Sequence, residues 1–155
     1  MIEESELDGL DGPVLGRGGF GQVTQQVWKS QRVAVKSIYA LQEENALKVL
    51  YKEVETLGRL RHPNIVCLLG VCPHMDQSNF SLLMVFELCE GGSLFAKIHS
   101  LENVEPFSQT QMKRYMVEMC RGMAYLHARN VQHRDLKSPN ILLSDSDTVK
   151  IADFG

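Results

Sequence analysis

His133-Arg134-Asp135-Leu136-Lys137-Ser138-Pro139-Asn140, followed by Asp153-Phe154-Gly155, is the stretch on which the reading of this chain turns. Between the two strings, Ile141-Leu142-Leu143 and Val149-Lys150-Ile151 read as short strands, so a hairpin returns the second string to the first. Two carboxylates, an amide and an ammonium are thereby gathered within one turn and one hairpin. Phosphoryl transfer proceeds by positioning and charge neutralisation. It needs oxygen ligands for a hard cation, one carboxylate near the attacking hydroxyl, and cations around the phosphates. All three kinds of group are present, and the set suits Mg²⁺ and a phosphoryl group in transfer.

Upstream, Leu15-Gly16-Arg17-Gly18-Gly19-Phe20-Gly21-Gln22-Val23 contains G-x-G-x-x-G at 16, 18 and 21. Such a pattern is weak by itself, and its context decides it. A dinucleotide loop leaves a strand and opens a helix, whereas these glycines lie between Val14-Leu15 and an extended run from Val23 to Trp28, and so join two strands. A turn is expected at Ser30-Gln31. In the next strand, Val33-Ala34-Val35-Lys36, alternation sends Val33 and Val35 into a core and turns Ala34 and Lys36 to the other face. From Glu43 to Arg59 the spacing of Leu47, Leu50, Tyr51, Val54 and Leu57 predicts a helix ended by Gly58 and His62-Pro63. Glu53 lies on its inward stripe, where a carboxylate needs a cation, and Lys36 is the natural one.

Asn64 to Val71 and Phe80 to Glu87 read as two buried strands joined by a loop from Pro73 to Asn79. Ser108 to Gln111 has the form of a capping box opening a helix that runs to about Arg129. On it, Met112, Tyr115, Met116, Met119, Met123 and Leu126 are spaced to bury one face.

The whole chain, 155 residues with 44% hydrophobic and 23% charged, has the balance of a globular domain. A net charge of −3 offers no electrostatic footprint for nucleic acid. The longest apolar runs, Ile65 to Leu69 and Leu82 to Phe86, are strand-sized, far below the roughly 20 residues that span a bilayer, so no membrane segment is expected. Residues 1–11 hold Glu3, Glu4, Glu6, Asp8 and Asp11 without a base, and read as a solvated acidic leader. Cys67, Cys72, Cys89 and Cys120 form neither a C-x-x-C pair nor a dense framework. They read as reduced thiols of an intracellular, cytoplasmic protein.

Taken in order, these motifs resemble the eukaryotic protein kinases, from Leu15 to Gly155. The resemblance implies that Asp135 accepts the proton of the attacking hydroxyl, that Lys137 meets the transferring phosphate, and that Asn140 and Asp153 bind the metal. It implies a nucleotide site of Leu15, Gly16, Gly18, Gly19, Phe20, Gly21, Val23, Ala34, Lys36 and Leu142, with backbone groups of Glu87 and Cys89 on the adenine edge. Phe86 falls at the gatekeeper place behind the adenine. Lys36 would meet the α and β phosphates and pair with Glu53. Leu57, Leu68, His133 and Phe154 match the hydrophobic spine of the family. Lys137-Ser138-Pro139 is similar to serine/threonine kinases of the tyrosine-kinase-like group.

The implied fold is α+β and two-lobed: a leader at 1–11, a small lobe at 12–88 with a five-stranded antiparallel sheet plus a helix, and at 89–155 the hinge and part of a larger lobe. The chain reaches only the start of the activation segment, so the larger lobe is expected to be incomplete. The implied function is transfer of the γ-phosphoryl of MgATP to Ser or Thr hydroxyls of a protein substrate. A nucleotide-binding or regulatory module of kinase descent without turnover is the alternative.

Overall fold

The computed structural model describes residues 1–8, 12–18, 21–39, 44–76, 79–100 and 107–153. The expected contributions of Gly19, Phe20 and Phe154 lie outside the described residues. The chain divides into two compact units, residues 1–60 with 67–88, and residues 61–66 with 89–155.

The first unit is an antiparallel sheet with one helix. Its strands are β1 (Leu7–Asp8), β2 (Val14–Gly18), β3 (Gly21–Trp28), β4 (Gln31–Tyr39), β5 (Leu68–Asp76) and β6 (Asn79–Glu87), and its helix is α1 (Glu44–Gly58). The strand order is β1-β3-β4-β6-β5, with β2 also paired to β3. On β4 the alternation is as the sequence predicts: Val33 and Val35 are fully buried and Ala34 and Lys36 half-buried.

Six strands stand where five were expected, because the acidic leader is folded. Ile2 and Leu7 are only 3% and 7% exposed, and join Val33, Val35, Cys72, Leu83 and Val85 in one core. The Ile2 amide donates to Val71 O at 2.8 Å on β5, the far edge of the sheet, while Leu7 and Asp8 pair with Trp28 and Val27 on β3. Residues 2–8 thus run as a strap from one side of the sheet to the other. A 3-10 turn at Glu4–Glu6 bends the strap, closed by the Glu3 amide on the Glu6 carboxylate at 2.9 Å. Ile2 rests on Gly70, where a Cβ would lie 2.7 Å from its Cδ1. The acids that hid these two apolar residues sit at the rims, Glu4 at 2.9 Å from the His74 ring and Glu6 at 3.4 Å from Lys29 Nζ.

Other expectations shift by local physics. The β3–β4 turn is Lys29-Ser30, both at positive φ (50° and 64°), one residue earlier than expected. Two-residue hairpins favour that backbone because it matches strand twist, and no glycine announces it here. Residues 73–76 are strand rather than loop, paired as far as Asp76 with Asn79. Pro73 is tolerated because β5 is an edge strand with one side free of ladder bonds. Residues 64–66 leave that strand for the second unit, Val66 N donating to Ile151 O at 2.9 Å. On α1, Tyr51 is exposed instead of lying on the buried stripe, while Leu57 is buried.

The second unit holds α2 (Leu94–His99), α3 (Gln109–His127) and the hairpin β7 (Ile141–Leu143) and β8 (Val149–Ile151). Ser93 and Ser108 cap the two helices through their hydroxyls, accepting from Ala96 N at 3.0 Å and Gln111 N at 3.1 Å. The Gln111 side chain turns to Tyr115 and Asp147. On α3, Tyr115, Gly122 and Leu126 are buried, but Met112 and Met116 are exposed, so the methionine stripe is covered only in part.

Candidate active site

Residues 131–140 are held as a loop by bonds within it and by bonds to Ala152. The His133 ring, 3% exposed, lies with Nε2 at 2.9 Å from Ala152 O, and its Nδ1 accepts from the Asp135 amide at 3.3 Å. An acceptor at Nδ1 and a carbonyl at Nε2 fit the neutral ring protonated on Nε2. Pro139 sits in a 3-10 turn, Ser138–Asn140, which brings Asn140 back to Asp135. Asn140 Nδ2 then donates to Asp135 O at 2.9 Å and to Asp135 Oδ2 at 3.2 Å. Lys137 Nζ lies 2.6 Å from the same Oδ2. That bond from Lys137 holds the Asp135 carboxyl below its ordinary range, so it is ionised and able to accept a hydrogen bond from a hydroxyl.

The hairpin carries the second string to the first. Ala152 N donates to Asn140 O at 2.9 Å, so Asp153, exposed and at φ 52°, follows directly on a residue bonded to Asn140. Asn140 is 7% exposed and commits its amide nitrogen to Asp135, which leaves Oδ1 as the atom it can offer a cation. No group of three His, Cys, Asp or Glu that could hold a metal occurs among the described residues. Mg²⁺ does not need one, since one or two side-chain oxygens with waters and substrate phosphates complete its shell.

In the first unit, register places Val23 opposite Lys36, and Ala34 opposite Phe86, so these four share one face of the sheet. Lys36 on β4 and Glu53 on α1 are both half-buried. In the β2–β3 hairpin, Gly18 pairs with Gly21. Gly21, at φ 146°, has a packing reason of its own: a Cβ there would fall 1.8 Å from Ser37 O. Gly16 is different, for a Cβ would meet nothing within 4 Å. It is open to an approaching ligand, beside a half-exposed Leu15. The Glu87 amide is bonded to Cys67 O at 3.1 Å and its carboxylate accepts from the Cys67 amide at 2.8 Å, so that amide is committed within the sheet. Cys89 and Leu142 belong to the second unit, both half-buried.

Three residues around the site were not read from sequence. Asn64 Nδ2 donates to Val149 O at 3.0 Å, and the Glu118 carboxylate accepts from the Val149 amide at 2.7 Å, so both hold the strand that leads to Asp153. Asp147, in the turn of the hairpin, gathers donors from two helices. Nothing local announces such bonds, which join residues far apart in the chain.

The protein kinase domain model matches residues 11–155. The chain belongs to the protein kinase family. A probable serine/threonine-protein kinase of Dictyostelium discoideum is 38% identical over 143 residues, covering 91% of this chain and 15% of that protein. Mitogen-activated protein kinase kinase kinase 7 of Homo sapiens is 38% identical over 146 residues, covering 92% of this chain and 23% of its own length. A second Dictyostelium probable serine/threonine-protein kinase is 36% identical over 157 residues, 100% of this chain and 9% of that protein. The chain thus spans less than a quarter of the length of each of these relatives. Among the described residues no helix is long and apolar enough to cross a membrane.

The family works with ATP and Mg²⁺. Each unit by itself has groups that fit: in the second, Asn140 Oδ1 and the Asp153 carboxylate are hard oxygen atoms suited to Mg²⁺, and in the first, Gly16 leaves backbone accessible and Lys36 carries a positive charge on the same face as Ala34.

Proposed function

We propose that this chain carries the nucleotide-binding and phosphotransfer groups of a serine/threonine protein kinase, moving the γ-phosphoryl of MgATP to a Ser or Thr hydroxyl of a protein. The observation that supports it best is the Asp135, Lys137 and Asn140 cluster, joined through Ala152 to Asp153. Mg²⁺, held by Asn140 and Asp153, would neutralise phosphate charge. The Asp135 carboxylate accepts the hydrogen bond of the acceptor hydroxyl and orients its oxygen toward the γ-phosphorus. As the new P–O bond forms and the bond to the ADP oxygen breaks, the hydroxyl proton passes to Asp135. Lys137, next to Asp135, balances negative charge on the phosphoryl oxygens. Lys36, aligned by Glu53, binds the α and β phosphates, and the open backbone at Gly16 covers them.

Serine/threonine preference is supported by Lys137 itself and by the names of the relatives. The four free cysteines fit a reducing, cytoplasmic setting.

The test is a nucleotide-binding titration set beside phosphoryl transfer to Ser/Thr and to Tyr peptides, with wild type, Asp135→Asn and Lys36→Met. Expected is MgATP binding lost in Lys36→Met, and Ser/Thr transfer abolished with binding kept in Asp135→Asn. Binding without any transfer by the wild type would replace this reading with that of a regulatory module. A double-mutant cycle on Lys36 and Glu53 that proves additive would remove the pairing, because partners in one ion pair lose function together.

A further inference from the structure

The two candidate metal ligands stand at the open end of one hairpin, on different strands. Asn140 precedes β7 and Asp153 follows β8; three residue pairs join the strands, Ile141 with Ile151, Leu142 with Lys150 and Leu143 with Val149, and one backbone bond extends them at each end, Ala152 N to Asn140 O and Ser144 N to Thr148 O, both at 2.9 Å. A two-stranded ribbon about 10 Å long does not hold its own shape. Its attitude must come from neighbours, and its two strands have different ones.

β8 is anchored by α3 and by the segment at 64–66. Glu118 takes the Val149 amide, Asn64 Nδ2 donates to Val149 O, and Ile151 N donates to Asn64 O at 2.9 Å. β7 is anchored instead by the segment that leads into α2. Gly91 N donates to Leu143 O at 2.9 Å, Leu143 N donates to Gly92 O at 2.9 Å, and Ser93 bridges to Leu142. Asp147 is the residue on which the two sets of anchors converge. Its carboxylate accepts from Lys97 Nζ of α2 at 2.7 Å and, from α3, from the Tyr115 hydroxyl at 2.5 Å, Gln111 Nε2 at 3.2 Å and the Arg114 guanidinium. Its φ of 59° needs only a residue that tolerates the left-handed region, which glycine or asparagine would do as well. The backbone therefore does not explain four convergent donors, two of them cationic. Burial by itself would raise this carboxyl, but the donors outweigh it and hold the group far below its ordinary range, so the clamp is ionised at neutral pH.

We propose that Asp147 is a positioning residue for the metal pair: by clamping α2 to α3 at the closed end of the hairpin, it fixes the strand bearing Asn140 against the strand bearing Asp153. The proposal rests on the phosphotransfer reading above for what the pair does. It adds that the spacing of the pair is set at the far end of the hairpin, by a residue that touches neither metal nor nucleotide.

The experiment uses Asp147→Gly, which keeps the left-handed backbone and removes every side-chain bond, with Asp147→Asn as the conservative variant. Two quantities are read on the full chain well below the lowest melting temperature of the set. The first is ATP binding as a function of Mg²⁺ concentration. The second is hydrogen exchange of the amides of residues 140–143 and 149–153. Expected for Asp147→Gly is a rise of roughly tenfold in the Mg²⁺ concentration at half-saturation, the lower end of the range for partners that orient metal ligands. Metal-free nucleotide affinity should be unchanged, amide exchange should quicken at both 140–141 and 151–153, and Asp147→Asn should fall between. A lower melting temperature with an unchanged Mg²⁺ midpoint would mean a merely structural clamp and overturn the proposal. If the wild type binds no MgATP, the phosphotransfer reading falls by itself. The exchange data then still judge the clamp, and quickening confined to the turn at 144–148 would overturn it.

Discussion

Alanine at Gly122 sets two ordinary effects against each other, and the structure decides the sign. In a helix interior, replacing glycine with alanine usually stabilises by about 1 kcal/mol, because glycine loses more backbone freedom on folding. At Gly122 the added Cβ would lie 2.7 Å from Ile151 Cδ1, 2.8 Å from Asn64 O and 3.3 Å from Asn64 Cβ. Ile151 is fully buried, so its methyl has no free space to turn into. The Asn64 carbonyl is backbone, already accepting from Ile151 N at 2.9 Å. Relief therefore requires α3 to move away from β8, and overpacking of this kind costs about 1–3 kcal/mol. The backbone clash argues for the upper part of that range. The expected net is a loss of about 1–2 kcal/mol, each kcal/mol lowering the melting temperature by roughly 2–4 °C. Urea unfolding followed by circular dichroism reads α2 and α3 of the second unit together with α1 of the first. Fluorescence of Trp28, the one tryptophan of the chain, reads the first. Gly58→Ala, where a Cβ meets nothing within 4 Å, is the control and should be neutral or stabilising. A Gly122→Ala chain with an unchanged or higher midpoint by dichroism would refute the close-approach argument.

Three further outcomes are expected. Ile2→Ala removes most of a buried side chain from the core of the first unit and should cost about 2–4 kcal/mol in the Trp28 transition; an effect within a few tenths would mean that the strap is not part of that core. Asp147 has a folded pKa below its unfolded value of about 3.9, so its stabilisation is fully present above that value and is lost as pH falls toward the folded one. The stability difference between wild type and Asp147→Asn should therefore be flat from about pH 5 to 8 and shrink below about pH 4, and a difference that instead varies across neutral pH would contradict the clamp. The Asp135 carboxyl, followed by carbon NMR, should titrate below about 3.9, and Lys137→Ala should raise its midpoint, because the Lys137 bond is the chief cause of the shift; an unmoved midpoint would count against that bond in solution.

The reach of the sequence depended on where the determining contacts lie. Asp135, Lys137 and Asn140 could be grouped because one short loop holds them, and the bonds among them span at most five positions. The two faces of β4 were legible for a similar reason, since alternation is a local property and Val33 and Val35 fill the core as it requires. Asp147 was opaque because its four donors come from 32 to 50 positions away, and a turn aspartate has a sufficient local reason to be where it is. The strap was misread because charge dominated an 11-residue window in which, after Met1, only Ile2, Leu7 and Leu10 are apolar. Their spacing fits neither a helix nor a strand, and only the 3-10 turn at Glu4–Glu6 brings Ile2 and Leu7 to the same core. Methionines 112 and 116 have the right period on α3 but lack a covering partner among the described residues, and period alone says nothing of partners.

The strap also turns one cysteine into a clock. Cys72 is wholly inaccessible in the core that Ile2 and Leu7 close, and burial, aided by Glu4 and Glu6, pushes its thiol pKa up. Both effects protect it from alkylation, while Cys120 on α3 is exposed and free to react. A thiol reagent added to the native protein would label Cys120 at once. It would reach Cys72 only as often as the sheet face is uncovered, so the ratio of the two rates measures how frequently the first eight residues let go.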